Sequence, residues 1–260
     1  MPKLSVIVIT KNEAANIDAA LTSVRWADEL IVVDAESTDD TVARARQFTD
    51  RVFVRAWPGY AAQKNHAASL ASHDWILSLD ADERVTPELA TSIQQALKEA
   101  PSARGYRVRR ATWVFDRWLR STDWYPDWQL RLYDRRAGRW TEDRRVHESV
   151  ALDGPVARLD GELQHYGYRG IAAHADTINR YTTHAAQDLH ARGARASATD
   201  LVLQAPAAFL RNYLLRGGIR DGLVGLVISG MNAYYVHLKY VKLWEQARRT
   251  AQEGDLPPRG

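Results

Sequence analysis

The amino-acid sequence predicts a doubly wound, mostly parallel α/β sheet with a C-terminal helical appendage. Short β-branched runs alternate with helical patterns through the first part of the chain, and those runs are apolar without alternation, as strands covered on both faces are. Beyond residue 165 the character changes to alanine, leucine and histidine at helical spacing.

Leu4 to Ile9 is a nearly continuous apolar run and reads as the first strand. Asn12 is expected to cap the helix that follows, where Ile17, Ala20, Leu21 and Val24 recur at helical spacing. Leu30 to Val33 is the second strand, ending in Asp34. Ser37-Thr38-Asp39-Asp40 then offers capping chemistry for a helix through Val42 and Phe48. Arg51 to Val54 is a shorter third strand, followed by a helix over about 61–71 and the strand Trp75 to Leu79. After a helix over about 87–99, strands are expected at Gly105 to Arg109 and Gln129 to Tyr133. A helix over 172–192 precedes apolar helical segments from Pro206 to Trp244, broken at Gly217-Gly218. The expected domains are 1–165 (catalytic, with an acceptor loop at about 104–145), 166–250 (helical) and a frayed tail, 251–260.

A chain of 260 residues, 45% hydrophobic and 26% charged, is globular and large enough for one domain with an appendage. Cysteine is absent, so disulfides and thiolate metal sites are excluded, and any metal rests on carboxylate or histidine. Met1-Pro2-Lys3 leads straight into a strand, which predicts a cytosolic start. The nearly uncharged stretch from Gly222 to Val236 falls short of the roughly 20 residues that span a bilayer.

The net charge of +3 is unevenly placed: between Arg104 and Arg145 stand twelve arginines against six acids, with five of the nine tryptophans. Arginine interleaved with aromatics reads anionic lipid, phosphorylated sugar or nucleic acid, or else is a solvated face above core tryptophans. No helix-turn-helix, zinc or RNP pattern accompanies it, so nucleic acid is not expected as a partner.

In a parallel α/β sheet ligands bind at the carboxyl ends of the strands. The polar groups gather there: Thr10-Lys11-Asn12-Glu13 after strand one, Asp34 after strand two, and Asp80-Ala81-Asp82-Glu83 after strand four. Two carboxylates one residue apart where a strand frays suit a hard divalent cation, Mg²⁺ or Mn²⁺, whose remaining sites a diphosphate fills. A surface turn with a capping aspartate is the bland reading of the same residues. No glycine-rich phosphate cradle follows any expected strand, which removes P-loop and dinucleotide-binding readings. Lys64 is then either a cation for the crevice or an exposed helix residue.

The run Leu4 to Glu13 resembles the opening of family 2 glycosyltransferases, which have the GT-A fold. Ile31 to Asp39 is similar to their second motif and Asp80-Ala81-Asp82-Glu83 to their metal motif. Within that family the chain looks most like the lipopolysaccharide-core β-1,4-glucosyltransferases, through Ser23 to Glu29, Trp124-Tyr125-Pro126-Asp127, Leu130 to Tyr133 and Val146-His147-Glu148. The resemblance implies an inverting transfer of a hexose, glucose first, from a UDP-sugar to a heptose of a lipid-linked core oligosaccharide. It places the protein in the cytoplasm, peripheral on the inner face of the inner membrane, with an oligomer left open. Thr10, Asn12 and Glu13 are expected to border the nucleoside and Asp34 to bond the uracil. Lys64, Asp80 and Ala81 are expected at the nucleotide-sugar, and Asp82, with Asp80, at the metal.

Inversion needs a carboxylate that deprotonates the acceptor hydroxyl. Glu148, Asp127 and Asp143 compete for that role. Arg117, Arg120 and Arg131 are the expected acceptor contacts, with His147 as an acceptor contact, third metal ligand or structural histidine. The apolar segment Phe209 to Ile228, with Arg211, Arg216, Arg220, Lys239 and Lys242 nearby, reads as a membrane-surface attachment or as packing. Rival readings are another UDP-sugar transferase of surface polysaccharide synthesis, a metal-dependent nucleotidyltransferase, a binding module without turnover, and an RNA-binding protein.

Overall fold

The computed structural model describes residues 2–98, 101–141 and 149–255. Its elements in chain order are β1 (Leu4–Thr10), α1 (Ile17–Ser23), β2 (Glu29–Asp34), α2 (Thr41–Ala45), β3 (Val52–Val54), α3 (Tyr60–Leu70), β4 (Trp75–Asp80), β5 (Glu83–Val85) and α4 (Pro87–Lys98). Then come β6 (Gly105–Val114), β7 (Arg117–Leu119), β8 (Asp127–Asp134), β9 (Gly138–Trp140), β10 (Val150–Leu152), β11 (Val156–His165), α5 (Ile171–Ala191), α6 (Ala198–Leu210) and α7 (Gly222–Asp255). The chain divides into two compact units, Met1–Trp113 with Pro126–Gly167 and Val114–Tyr125 with Tyr168–Gly260.

In the first unit the sheet order is β3-β2-β1-β4-β8-β6-β11-β5. The first four strands are parallel. β8 runs antiparallel to both β4 and β6, β11 returns parallel to β6, and β5 closes the edge antiparallel to β11. The sheet is therefore mostly parallel, and the direction changes between β4 and β8. β1 is buried along its whole length, and its alternate residues feed two cores, as a period of two requires. Val6 and Val8 meet Ile17, Leu21, Leu89 and Ile93 on one face. Ile7 and Ile9 meet Ile31, Val33, Ala67 and Tyr133 on the other. Helices thus cover both faces.

β6 runs beyond the expected Arg109 to Val114. Its arginines stand beside buried Tyr106, Val108 and Ala111, so the segment is a strand with one wet face rather than a loop. β11 had no clear sequence signal: Arg158, Asp160 and Glu162 interrupt it, and its register shifts between Arg158 and Glu162. Gly161 sits in that bulge at φ +90°, where a Cβ would stand 2.4 Å from the Leu89 backbone nitrogen. Only glycine permits α4 to pack so closely there. Asn12 does not cap α1, which starts after Asn16 without a side-chain cap. It adopts φ 53° instead, and its Oδ1 accepts from the Thr38 backbone N–H at 2.8 Å. The loop after β1 is tied to the loop after β2, and the cap expectation is corrected.

The second unit holds α5, α6 and α7. Val114 and Leu119 form a core with Val224 and Ile228, against Trp124 and Tyr168. Buried Asn212 accepts from the Asp123 N–H at 2.7 Å and from Asn232 at 3.0 Å. These contacts place residues 114–125 with the C-terminal helices, dividing the segment expected as one acceptor loop. α6 begins with a capping box, Ser197 with Asp200. It ends in a π-turn at Arg211–Leu215, and the chain breaks at Gly217, φ +74°. No helix among the described residues is long and apolar enough to cross a membrane.

Candidate active site

The carboxyl ends of β1, β2 and β4 bring most of the expected donor-site residues together. Asn12 and Glu36, both at positive φ, shape the two loops. Asn12 N–H donates to Ser37 Oγ at 2.7 Å, and Glu13 N–H to Thr41 Oγ1 at 2.8 Å. Asp34 lies fully buried beneath them, accepting from Ser37 N–H at 2.7 Å and from its hydroxyl at 2.5 Å. Thr10 is buried with its hydroxyl unpaired among the described residues, and so is the amide of Gln63 on α3. Unpaired buried polar groups are uncommon and point to a ligand or water.

Lys64 is 5% exposed and not a surface residue. Its Nζ meets Asp80 Oδ1 at 2.9 Å and lies 4.4 Å from the centre of the Trp140 ring. α3 is held against the β9–β10 hairpin by Asn65, which both donates to and accepts from the Trp140 backbone at 2.9 Å. The other oxygen of Asp80 accepts from Arg131 Nη2 at 2.7 Å. Burial works to raise the Asp80 carboxyl, but Arg131 and Lys64 outweigh it and hold it well below the ordinary carboxylate range. Asp80 was expected as a metal ligand beside Asp82. Each of its oxygens faces a cation, Oδ1 that of Lys64 and Oδ2 that of Arg131.

Arg131 was expected on the acceptor. It is 3% exposed, and the same Nη2 meets Glu83 Oε1 at 2.5 Å. Glu83 is fully buried and accepts from the Asp80 backbone N–H at 3.0 Å, which fixes the turn through Ala81. Arg110 extends the chain of charges, lying 3.3 Å from Glu83 and 2.7 Å from Asp127. Burial lowers the Arg110 guanidinium, but Glu83 and Asp127 outweigh it and raise it. Asp127 also accepts from Gln129 at 2.6 Å, so both its oxygens are engaged. Lys64, Asp80, Arg131, Glu83, Arg110 and Asp127 thus alternate in sign across the sheet. Glu83 was read only as the end of the acidic run after strand four, and Arg110 was not singled out, because arginine in a basic stretch reads as surface.

Asp82 faces a partner the sequence did not reveal. His165, at the end of β11, places Nε2 3.5 Å from Asp82 Oδ2, while its Nδ1 lies 3.2 Å from the Thr112 hydroxyl. Gly167 borders the pair: a Cβ there would stand 2.3 Å from His165 Nε2 and 2.7 Å from Asp82 Oδ2. A carboxylate oxygen and an imidazole nitrogen converging on one gap, with the other ring nitrogen held, is a donor set that fits a divalent cation. Among the described residues no group of three or more His, Asp or Glu side chains gathers to hold a metal.

Arg117 and Arg120 lie in the second unit, both exposed. Arg117 donates to Asp116 at 3.0 Å and to the Asp221 carbonyl at 3.2 Å. Asp143, His147 and Glu148 lie outside the described residues.

A family model described as "Glycosyl transferase family 2" matches residues 5–149. The lipopolysaccharide core biosynthesis glycosyltransferase LpsC of Rhizobium meliloti is 29% identical over 254 residues, covering 95% of this chain and 94% of that protein. An uncharacterized glycosyltransferase of Rickettsia felis is 33% identical, over 94% of this chain and 90% of that protein. Among solved structures, glucosyl-3-phosphoglycerate synthase from Mycobacterium tuberculosis, in complex with Mn²⁺, UDP-glucose and phosphoglyceric acid, is 24% identical with a TM-score of 0.37, covering 43% of this chain and 44% of that one. The mostly parallel α/β architecture is of the GT-A type that the motifs implied. With the family model covering more than half its length, the chain belongs to glycosyl transferase family 2 and is a glycosyltransferase.

Proposed function

We propose that the protein is an inverting, divalent-metal-dependent hexosyltransferase that moves a hexose, glucose first, from a UDP-sugar to a heptose of a lipid-linked lipopolysaccharide core, working peripherally at the inner face of the membrane. The observation that carries the donor side is the Asp82–His165 pair with the side-chain-free Gly167 beside it. The relation to the core biosynthesis enzyme LpsC supports the acceptor class.

In this reading Thr10, Asn12 and Glu13 border the nucleoside, with the unpaired Gln63 amide beside Lys64 as a further contact. Asp34 remains the acceptor for the uracil ring N–H, because a carboxylate has about four lone-pair sites and Ser37 uses two. Lys64 and Arg131 hold Asp80 in one rotamer, so that Ala81 and Asp82 present a fixed edge to the diphosphate. Asp82 and His165 are the metal ligands, with Mg²⁺ or Mn²⁺ as the ion. When held there, the ion would supply positive charge to offset that developing on the diphosphate. Arg131 becomes a positioning residue, and Arg117, Arg120 and His147 remain the acceptor contacts.

The acceptor hydroxyl gives its proton to a carboxylate as its oxygen bonds the anomeric carbon. The bond from that carbon to the diphosphate oxygen breaks, and UDP leaves with the electron pair on the face opposite the attack. Glu148 is the first choice for the base, with Asp127 second.

Hydrolysis of UDP-glucose, UDP-galactose and the UDP-N-acetyl sugars, measured with and without Mn²⁺, tests the donor side. Turnover is expected only with metal, and Asp82→Ala is expected to abolish it. Metal-independent turnover, or full activity of the variant, overturns the reading.

A further inference from the structure

We propose that the turn joining α6 to α7 is a docking surface for a bilayer with anionic headgroups. The inference deepens the reading of a lipid-linked acceptor and rests on it for its purpose.

Leu215, Leu223, Ile219 and Leu214 are 83, 78, 55 and 52% exposed. Leu223, Leu226 and Val227 make an exposed apolar stripe at helical spacing, while Val224 and Ile228 face the core. The start of α7 is therefore apolar on both its buried and its wet side, whereas a helix facing water carries polar residues there.

The turn is fixed from beneath, so these side chains are held outward. A Cβ at Gly225 would stand 1.8 Å from the Gly218 carbonyl oxygen, and one at Gly218 2.9 Å from Ser229 Oγ. Gly217 and Gly222 supply the positive φ values, +74° and +57°. Asn212, buried below, donates to the Ala208 carbonyl at 2.9 Å.

Charge selects the occupant. Asp221 is turned back, accepting from the Ser121 hydroxyl. Arg220 is exposed with no side-chain partner among the described residues. Arg216 is half exposed, 3.7 Å from Asp123. Leucines at the crest with arginines among them suit a surface that offers acyl chains and anionic headgroups together. A second copy of the chain fits less well, because a two-fold contact sets Arg216 and Arg220 against their own copies. No described helix is long and apolar enough to span a bilayer, so the contact is interfacial.

The full chain is floated with vesicles of phosphatidylcholine, alone or mixed with phosphatidylglycerol. Binding is expected to the mixed vesicles and to weaken with salt. Arg220→Gln is expected to weaken it about fivefold, and Leu215→Asp with Leu223→Asp by about tenfold or more. UDP-sugar hydrolysis without vesicles is expected to be unchanged in these variants, which also shows that they fold. Absence of binding to the mixed vesicles, equal binding by the double variant, or a dimer in solution that the double variant dissolves would overturn the proposal. Vesicle binding without any UDP-sugar hydrolysis strikes the donor reading alone and leaves the docking surface supported.

Discussion

Asp82 Oδ2 and His165 Nε2 face each other across 3.5 Å, brought together from the end of β4 and the end of β11. The gap exists because residue 167 has no side chain: a Cβ there would lie 2.3 Å from one nitrogen and 2.7 Å from one oxygen of the pair. Asp82 on one side and His165 with Gly167, far along the chain, on the other thus define one small volume.

Gly167→Ala is expected to close that volume. Mn²⁺ binding, followed by electron paramagnetic resonance in the presence of UDP, should weaken about tenfold or more, on the scale seen when the supports of metal ligands are altered. UDP affinity without metal should stay within about twofold of wild type. Unchanged Mn²⁺ affinity would remove the pair from the metal site.

Arg131→Met leaves Asp80 and Glu83 without the cation they share. Breaking a buried ion pair from one side costs about 3–5 kcal/mol, and denaturant unfolding should register a loss of that order. Adding Glu83→Leu is expected to recover part of it, because the stranded buried charge is removed with its partner. A stability loss below about 1 kcal/mol in the single variant would mean that water reaches this cluster.

The sequence showed where the acidic groups stand and hid what holds them. The runs of β1, β2 and β4 are apolar throughout, so strand ends and the positions of Asp34, Asp80 and Asp82 follow directly. His165 was illegible because β11 mixes Arg158, Asp160 and Glu162 with a bulge at Gly161, and a single histidine after such a run has no spacing to mark it. Arg110 and Arg131 lie in a stretch whose composition reads as solvated surface. Their burial follows from the β4–β8–β6 pairing, which is long-range and antiparallel where the earlier strands are parallel. The same limit applied to residues 114–125, whose partners Asn212, Val224 and Ile228 come from the far end of the chain.

Asp80 gives a pH signature. Its folded pKa is depressed below its unfolded value, since Arg131 and Lys64 outweigh burial. Its ion pairs therefore contribute fully above pH ~4, the ordinary aspartate value, and are lost as pH falls through the lower folded value. The difference in melting temperature between wild type and Asp80→Asn should be constant from pH ~5 to ~8 and shrink below pH ~4. A difference that changes near neutrality would show that another group governs the pair.

Gln63 is fully buried with both amide atoms unpaired among the described residues. Gln63→Leu should stabilise the ligand-free protein by about 1 kcal/mol and weaken UDP binding about tenfold, measured by calorimetry. Lower stability with unchanged UDP affinity would make Gln63 a packing residue with bound water.

The base is separable by two conservative changes. Glu148→Gln should reduce transfer by about 10²-fold or more while UDP binding is retained. Asp127→Asn should act mainly on stability, since Asp127 is already engaged with Arg110 and Gln129. The reverse pattern would assign the base to Asp127.

The alternating charges from Lys64 to Asp127 also bear on how the enzyme can be re-engineered. Arg110 and Arg131 belong to β6 and β8, the strands on either side of residues 115–126, yet both grip carboxylates at the end of β4 and on β5. An exchange of this segment that cuts between these strands separates a guanidinium from its carboxylate. Such a graft must carry β6 and β8 as one block, with Glu83 and Asp80 matched to it.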